Sequence, residues 1–431
     1  MEERSSRNNI NHTPSSSQPA LFHYPPEFLL RIPKSDLHIH LDGSIRLSTL
    51  IELAQDQNVS LPSYNESELQ TLVFPQTYSS LQEYLAGFGY ILSVLRNKDA
   101  LERVSYEVGM DAYNVGVRYI EVRFAPQLHA IPGVLSIEEV MCAVNTGLGR
   151  AVSEADALDR SSSGSSGHDP YHPEAPPHHY GIIVCAMRYF LPSFSPYYEA
   201  FCEVHKGEDL HRIFGLASVA LVTAVNTLKG KRKCHFGYDD NDEGQAVEKS
   251  LSEDDDDDEF ILPIVAIDIA GAESGYPASD HREAFDLAHS SFLYKTVHAG
   301  EAYGPESIFS AITDLHAERI GHGCNIFRWD LIGVGEGRGG RCKSNKEKEE
   351  MSDEQKRVYI ENLTRYLGVS KIGVFIVGKL SFNCSRCLTE VDDTSHAIKN
   401  PGDAHMHRGM SELKFTNYAG VARKFGTPSC T

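Results

Sequence analysis

His38 and His40 are separated by a single residue within Asp36-LHIHL-Asp42. Alternate residues of an extended strand share a face, so both imidazoles point one way while Leu37, Ile39 and Leu41 point the other. Two imidazoles side by side can hold one metal ion. The spacing also has an ordinary packing explanation, because 20 His in 431 residues give about one His-x-His by chance, and His405 and His407 form another. The first pair is set apart by its company. Leu293-YKTVHA-Gly300 ends in His298 and runs on into Glu301, and Glu318-RIGH-Gly323 ends in His322.

Imidazole nitrogen suits zinc, and a catalytic zinc keeps one coordination position for water, so His38, His40 and His298 would supply three protein ligands. Water held there deprotonates near neutral pH. Glu301 follows the third ligand by three residues, beside the metal without having to coordinate it, which is a place for a general acid or base. His322, between Gly321 and Gly323, could orient or deprotonate the water. A surface Glu and a packed core His are the bland readings of each residue taken singly, and their joint occurrence at the ends of separate strand-like runs argues against both.

These residues need a scaffold that brings strand ends together. Short β-branched runs recur at Gly116-VRYIEVRF-Ala125, Gly181-IIVCAM-Arg188, Leu262-PIVAIDIA-Gly271 and Lys371-IGVFIVG-Lys379, as expected of parallel strands buried on both faces. With the runs ending at Asp42, Gly300 and Gly323, and a weaker Ser411-ELKFTN-Tyr418, they make eight. Helical periodicity lies between them, as at Leu47, Leu50, Ile51 and Leu53, or Ile308, Ile312 and Leu315. Eight strand–helix units close into a (β/α)8 barrel, whose chemistry sits at the C-terminal strand ends. Residues 26–431 are therefore expected to form one barrel behind a disordered tail, 1–25. Three low-complexity insertions, at 159–180, 229–259 and 333–356, are expected to be surface loops.

With 60 acidic and 40 basic residues the net charge is -20, which disfavours nucleic acid and anionic membranes as partners. Residues 229–259 hold 12 acidic and 5 basic side chains, so much of that charge belongs to one insertion; it reads as a solvated loop, or as a docking site for a basic protein. The longest apolar run, 213–225, is too short to span a bilayer. The first 20 residues lack an apolar targeting core, which points to the cytoplasm. Nine scattered cysteines fit reduced thiols. Cys384 and Cys387 have no second pair to complete a zinc ribbon.

The chain resembles the adenosine deaminase family of zinc-dependent (β/α)8 hydrolases in five ordered motifs: Ile32-PKSDLHIHLDGS-Ile45, Val117-RYIEVRFAPQLH-Ala130, Ile267-DIAGAE-Ser274, Thr296-VHAGE-Ala302 and Glu318-RIGHG-Cys324. The resemblance spans roughly residues 30–330. It implies one zinc per chain on His38, His40 and His298, Glu301 as proton donor to purine N1, and His322 as the residue that positions or deprotonates the attacking water. It further implies that the Gly271 amide meets purine N3 and that Asp42 reaches the ribose. The reaction so implied is hydrolytic deamination of adenosine or deoxyadenosine to the inosine product and ammonia. Free adenine or a modified AMP are the related alternatives.

Past the sixth strand the similarity fades. Leu380-SFN-Cys384 is loosely similar to a Ser-Asn motif, and the family's eighth strand ends in Thr or Ser followed by two acidic or amide residues, the first a zinc ligand. Here Phe415-Thr416-Asn417-Tyr418 has no Asp, and the adjacent pair Asp392 and Asp393 lies upstream. With Gly426 and Pro428 in the final stretch, the sequence predicts a barrel truncated at its C-terminal end. That departure motivates a contrasting expectation, a barrel that binds a purine nucleoside without turning it over.

Overall fold

Seven parallel strands pair in strict sequence order: β1 Lys34–His40, β2 Val117–Phe124, β3 His179–Met187, β4 Ile264–Ala270, β5 Tyr294–Ala299, β6 Arg319–His322 and β7 Phe375–Val377. This is a computed structural model, and it describes residues 26–75, 78, 85–163, 176–229, 262–328, 331–332, 352–369 and 375–377. Each strand lies beside the next with no reversal of order, and helices fill the crossovers. An open doubly wound sheet reverses its order at a switch point, whereas this progression curls toward a barrel. The fold is of the (β/α)8 type. The eighth strand expected at Ser411–Tyr418, the tail 1–25, and the residues invoked past β7 all lie outside the described residues.

The strands form where apolar, β-branched runs can be covered on both faces. Ile182, Ile183, Val184 and Cys185 of β3 are all buried, as a parallel strand between an inner core and an outer helix requires. Helix Leu47–Asp56 buries Leu47, Leu50, Ile51, Leu53 and Ala54. Helix Pro305–Thr313 starts on Pro305, whose missing N–H costs nothing in the first turn, and buries Ile308 and Ala311, with Leu315 buried just beyond it. Asn97 caps helix Lys98–Asn114 through the Ala100 amide, at 2.8 Å.

Two insertions are narrower than composition suggests. Helix Ile137–Ser163 continues through Asp159, which accepts hydrogen bonds from Tyr113 and Arg118. At its other end His178 is buried, 2.8 Å from Asp156, and His179 and Tyr180 open β3. Ser-rich composition hides this because Asp156 and Asp159, one turn apart, are held by partners far away in sequence. At 333–356 the end is again structured: helix Asp353–Val369 begins there. Ser352 Oγ accepts from Gln355 N at 3.3 Å, and Ser352 N donates to the Gln355 side chain at 2.7 Å. That reciprocal cap is legible in the sequence as Ser-x-x-Gln. Residues 164–175, 230–259 and 333–351 lie outside the described residues.

Among the described residues one helix, Leu210–Lys229, is long and apolar enough to cross a membrane by length and composition. It is longer than the apolar run 213–225, and it buries Ile213, Phe214, Leu221, Val222, Val225 and Leu228 in the core. Gly215 lets it pack tightly, since a Cβ there would lie 2.4 Å from the Asp280 carbonyl oxygen. Among the described residues Cys185, Cys202 and Cys324 are free thiols.

Candidate active site

The strand alternation of β1 carries His38 and His40 onto one face, toward the end of β5. There His298 Nε2 lies 3.1 Å from His38 Nε2 and 3.0 Å from His40 Nε2. Ligand atoms around one tetrahedral zinc are about 3.3 Å apart when each bond is about 2.0–2.1 Å, so both separations stand close to the spacing one ion would impose, and the three ligand atoms all lie within 4.8 Å of one another. Burial, then the nearby Arg123 guanidinium and then the neighbouring imidazoles, push His38 well below its ordinary pKa. A neutral imidazole keeps the lone pair that a metal needs. Donor type, spacing and protonation fit a zinc ion.

Gly321, the residue before His322, faces His38 of β1. A Cβ there would lie 2.7 Å from His38 Cε1. The glycine makes room for a histidine of β1. Gly321 pairs with His298 across β5 and β6, so three elements meet at this point.

Sequence reasoning missed Asp268, on β4. It is fully buried, with Oδ2 2.6 Å from Arg123 Nη1 and 3.0 Å from His298 Nδ1. The approach to His298 falls within ion-pair distance but off the line of a hydrogen bond. Burial raises the Asp268 pKa, yet His298 and Arg123 outweigh it and hold the carboxyl below its ordinary value. Arg123, itself buried, also donates to the Leu37 carbonyl at 2.6 Å, tying β2 to the strand that carries His38. The available signal was an Asp inside the apolar run Ile264–Ala270: a buried carboxylate must be paired.

Glu301, in the loop after β5, meets His322, the last residue of β6, with 3.5 Å between Glu301 Oε2 and His322 Nε2. The His322 ring centroid is 4.7 Å from that of His38 and 5.0 Å from that of His298. His322 has φ +69° and Gly300 φ +70°, left-handed conformations that are costly for the histidine. Asp42 follows β1 in a buried turn; burial pushes its carboxyl up to about 6, against the pull of the Asp42 and Gly43 amides. Gly271 ends β4 with φ +97°. The four histidines and Glu301 thus share one end of the sheet, with Asp42 and Gly271 on strand ends of the same polarity.

The family model described as adenosine deaminase matches residues 33–163 and 261–330. A Dictyostelium discoideum protein, "Probable adenosine deaminase", is 33% identical over 296 residues, which is 68% of this chain and 28% of that protein. Adenosine deaminase from Vibrio atlanticus is 30% identical over 297 residues, covering 69% of this chain and 67% of the relative. The chain thus spans little more than a quarter of the first relative. The solved structure of an adenine deaminase from Arthrobacter aurescens aligns with TM-score 0.44 at 18% identity, covering 68% of this chain and 65% of that one.

Proposed function

The chain belongs to the adenosine deaminase family, and from that premise we propose that its strand ends carry zinc-dependent hydrolytic deamination of a purine nucleoside, adenosine or deoxyadenosine. The observation that supports this most is the convergence of His38, His40 and His298 Nε2 atoms beside the Glu301–His322 pair. His38, His40 and His298 would hold one zinc ion, which when bound makes a water acidic enough to attack near neutral pH.

The remaining work falls to side chains. Glu301, protonated, donates to ring N1 and so withdraws electrons from C6. His322 accepts a proton from the attacking water as its oxygen bonds to C6. The C6–N bond then breaks as the amine takes up the proton held by His322 and leaves as ammonia, the C6 hydroxyl proton passes to the Glu301 carboxylate, and the 6-oxo purine remains with both side chains restored. Asp42 reaches the ribose, which favours a nucleoside over a free base, and the Gly271 amide meets the purine ring. A small molecule is the partner this site suits, and the net charge of -20 opposes nucleic acid and anionic membranes.

The test is metal content together with ammonia release from adenosine, deoxyadenosine, adenine and N6-methyl-AMP. We expect about one zinc per chain, fastest release from the nucleosides, and loss of release on chelation that zinc reverses. Faster release from adenine or the nucleotide would reassign the substrate. Zinc-loaded protein that binds adenosine without releasing ammonia would replace the reading with that of a purine-binding barrel, the reading favoured by the lack of an Asp between Ser411 and Tyr418.

A further inference from the structure

The turn that carries Glu301 has its backbone held by two buried side chains from other loops. Glu273, after β4, accepts from Gly300 N at 2.7 Å through one carboxylate oxygen. Its other oxygen accepts from Glu301 N at 3.0 Å, Ala302 N at 2.7 Å and Tyr303 N at 3.0 Å. Ser307 Oγ donates to the first oxygen as well. On the opposite side Asn325, after β6, donates its side-chain amide to the Glu301 carbonyl at 3.1 Å and the Tyr303 carbonyl at 3.2 Å. The Asn325 backbone N–H donates to the Gly300 carbonyl at 3.0 Å.

Four consecutive amides therefore converge on one carboxylate, and three carbonyls of the same turn on one asparagine. Upstream, fully buried Arg188 donates to the His298 carbonyl at 2.7 Å and the Tyr276 carbonyl at 2.8 Å. Short structural hydrogen bonds could have come from water or from a helix start. A buried charge devoted to one turn is a costlier device, because the carboxylate must be desolvated.

We propose that Glu273 and Asn325 are positioning residues that clamp the Gly300–Tyr303 turn and so fix the Glu301 carboxyl against the reacting purine, an inference that rests on the deaminase reading. Displacing a proton donor by about 1 Å can cost on the order of a hundredfold in rate. Glu273→Gln keeps the shape but turns an acceptor oxygen into an NH2 group facing amide donors, whichever way the side chain lies.

The test combines two readouts on the full chain. Hydrogen exchange of a peptide covering 299–304 is compared in parent, Glu273→Gln and Asn325→Ala, alongside kcat, KM and zinc stoichiometry. We expect at least tenfold faster exchange in the turn for Glu273→Gln, a fall in kcat of about a hundredfold, and KM and zinc content within about threefold of the parent. Glu273→Asp, which keeps the charge, should recover part of kcat. If the parent releases no ammonia, the deaminase reading fails while the exchange comparison still decides whether the clamp exists. Unchanged exchange, or kcat within threefold of an active parent, would overturn the inference. Should Glu273→Gln not fold, Asn325→Ala carries the same comparison.

Discussion

Asp268 places a carboxylate oxygen 3.0 Å from His298 Nδ1, on the side of the imidazole away from the converging Nε2 atoms. The negative charge of a carboxylate there favours the proton on Nδ1 and leaves Nε2 free to donate its lone pair to a metal. The same oxygen is shared with Arg123, so the orienting group is itself held by a buried ion pair.

Asp268→Asn should weaken zinc affinity about 10–100-fold, the usual effect of losing a partner behind a metal-binding histidine. It should also destabilise the protein by roughly 3 kcal/mol, because Arg123 loses its buried counter-charge. Chelator competition measures the first effect and denaturant unfolding the second. Unchanged zinc affinity would show that Asp268 serves Arg123 alone.

Glu301→Gln should keep zinc and lose turnover. The amide preserves shape and removes the proton that activates C6, at a cost on the order of a hundredfold or more in kcat. Activity within tenfold of the parent, with zinc content equal, would remove Glu301 from the role of acid.

Gly321→Ala tests the space that His38 occupies. The added methyl would meet the His38 ring at 2.7 Å, and an aromatic ring held by neighbours on several sides cannot yield as a flexible chain end would. Overpacking of this kind costs about 1–3 kcal/mol, and the displaced imidazole should take zinc affinity down with it. A variant with parental zinc binding would show that β1 can shift to absorb the methyl.

Two buried histidines should each favour unfolding as pH is lowered from about 6.5, the unfolded histidine value. His129 is held at about 4 and His281 at about 3, chiefly by burial. Between 6.5 and those values the unfolded chain binds more protons than the fold, so acid favours unfolding. Asp42, raised to about 6, acts in the opposite direction below that pH, so the contribution of one histidine is read from a variant comparison. His129→Asn retains a donor for the Leu95 carbonyl, 3.0 Å from His129 Nδ1, and removes the titration. Its urea midpoint should change less than that of the parent between pH 6.5 and 5; equal slopes would mean that His129 opens to water before it charges.

The histidines that gather at the candidate site were readable because each sits at the end of an apolar run whose period fixes its direction. His38 and His40 alternate on a strand, and His298 and His322 end strands that the sequence delimits with glycines. The residues that hold those groups in place carry a weaker mark. Asp268 shows only as one charge in an apolar run, while Glu273 and Asn325 are ordinary loop residues by composition. Low-complexity composition likewise overstated the loop at 159–180, where Asp159 is helical and paired with Arg118.

The sequence by itself determined the strand and helix sequence, the parallel class that follows from their alternation, and the chemical inventory at the strand ends. Tertiary structure decided which inventory members face one another: that Gly321 makes way for His38, that Asp268 stands behind His298, and that Glu273 gathers the amides around Glu301. The physical reason is range. Periodicity and capping act over a few residues along the chain, whereas desolvation and hydrogen bonding of a buried charge depend on partners that only folding brings within 3 Å.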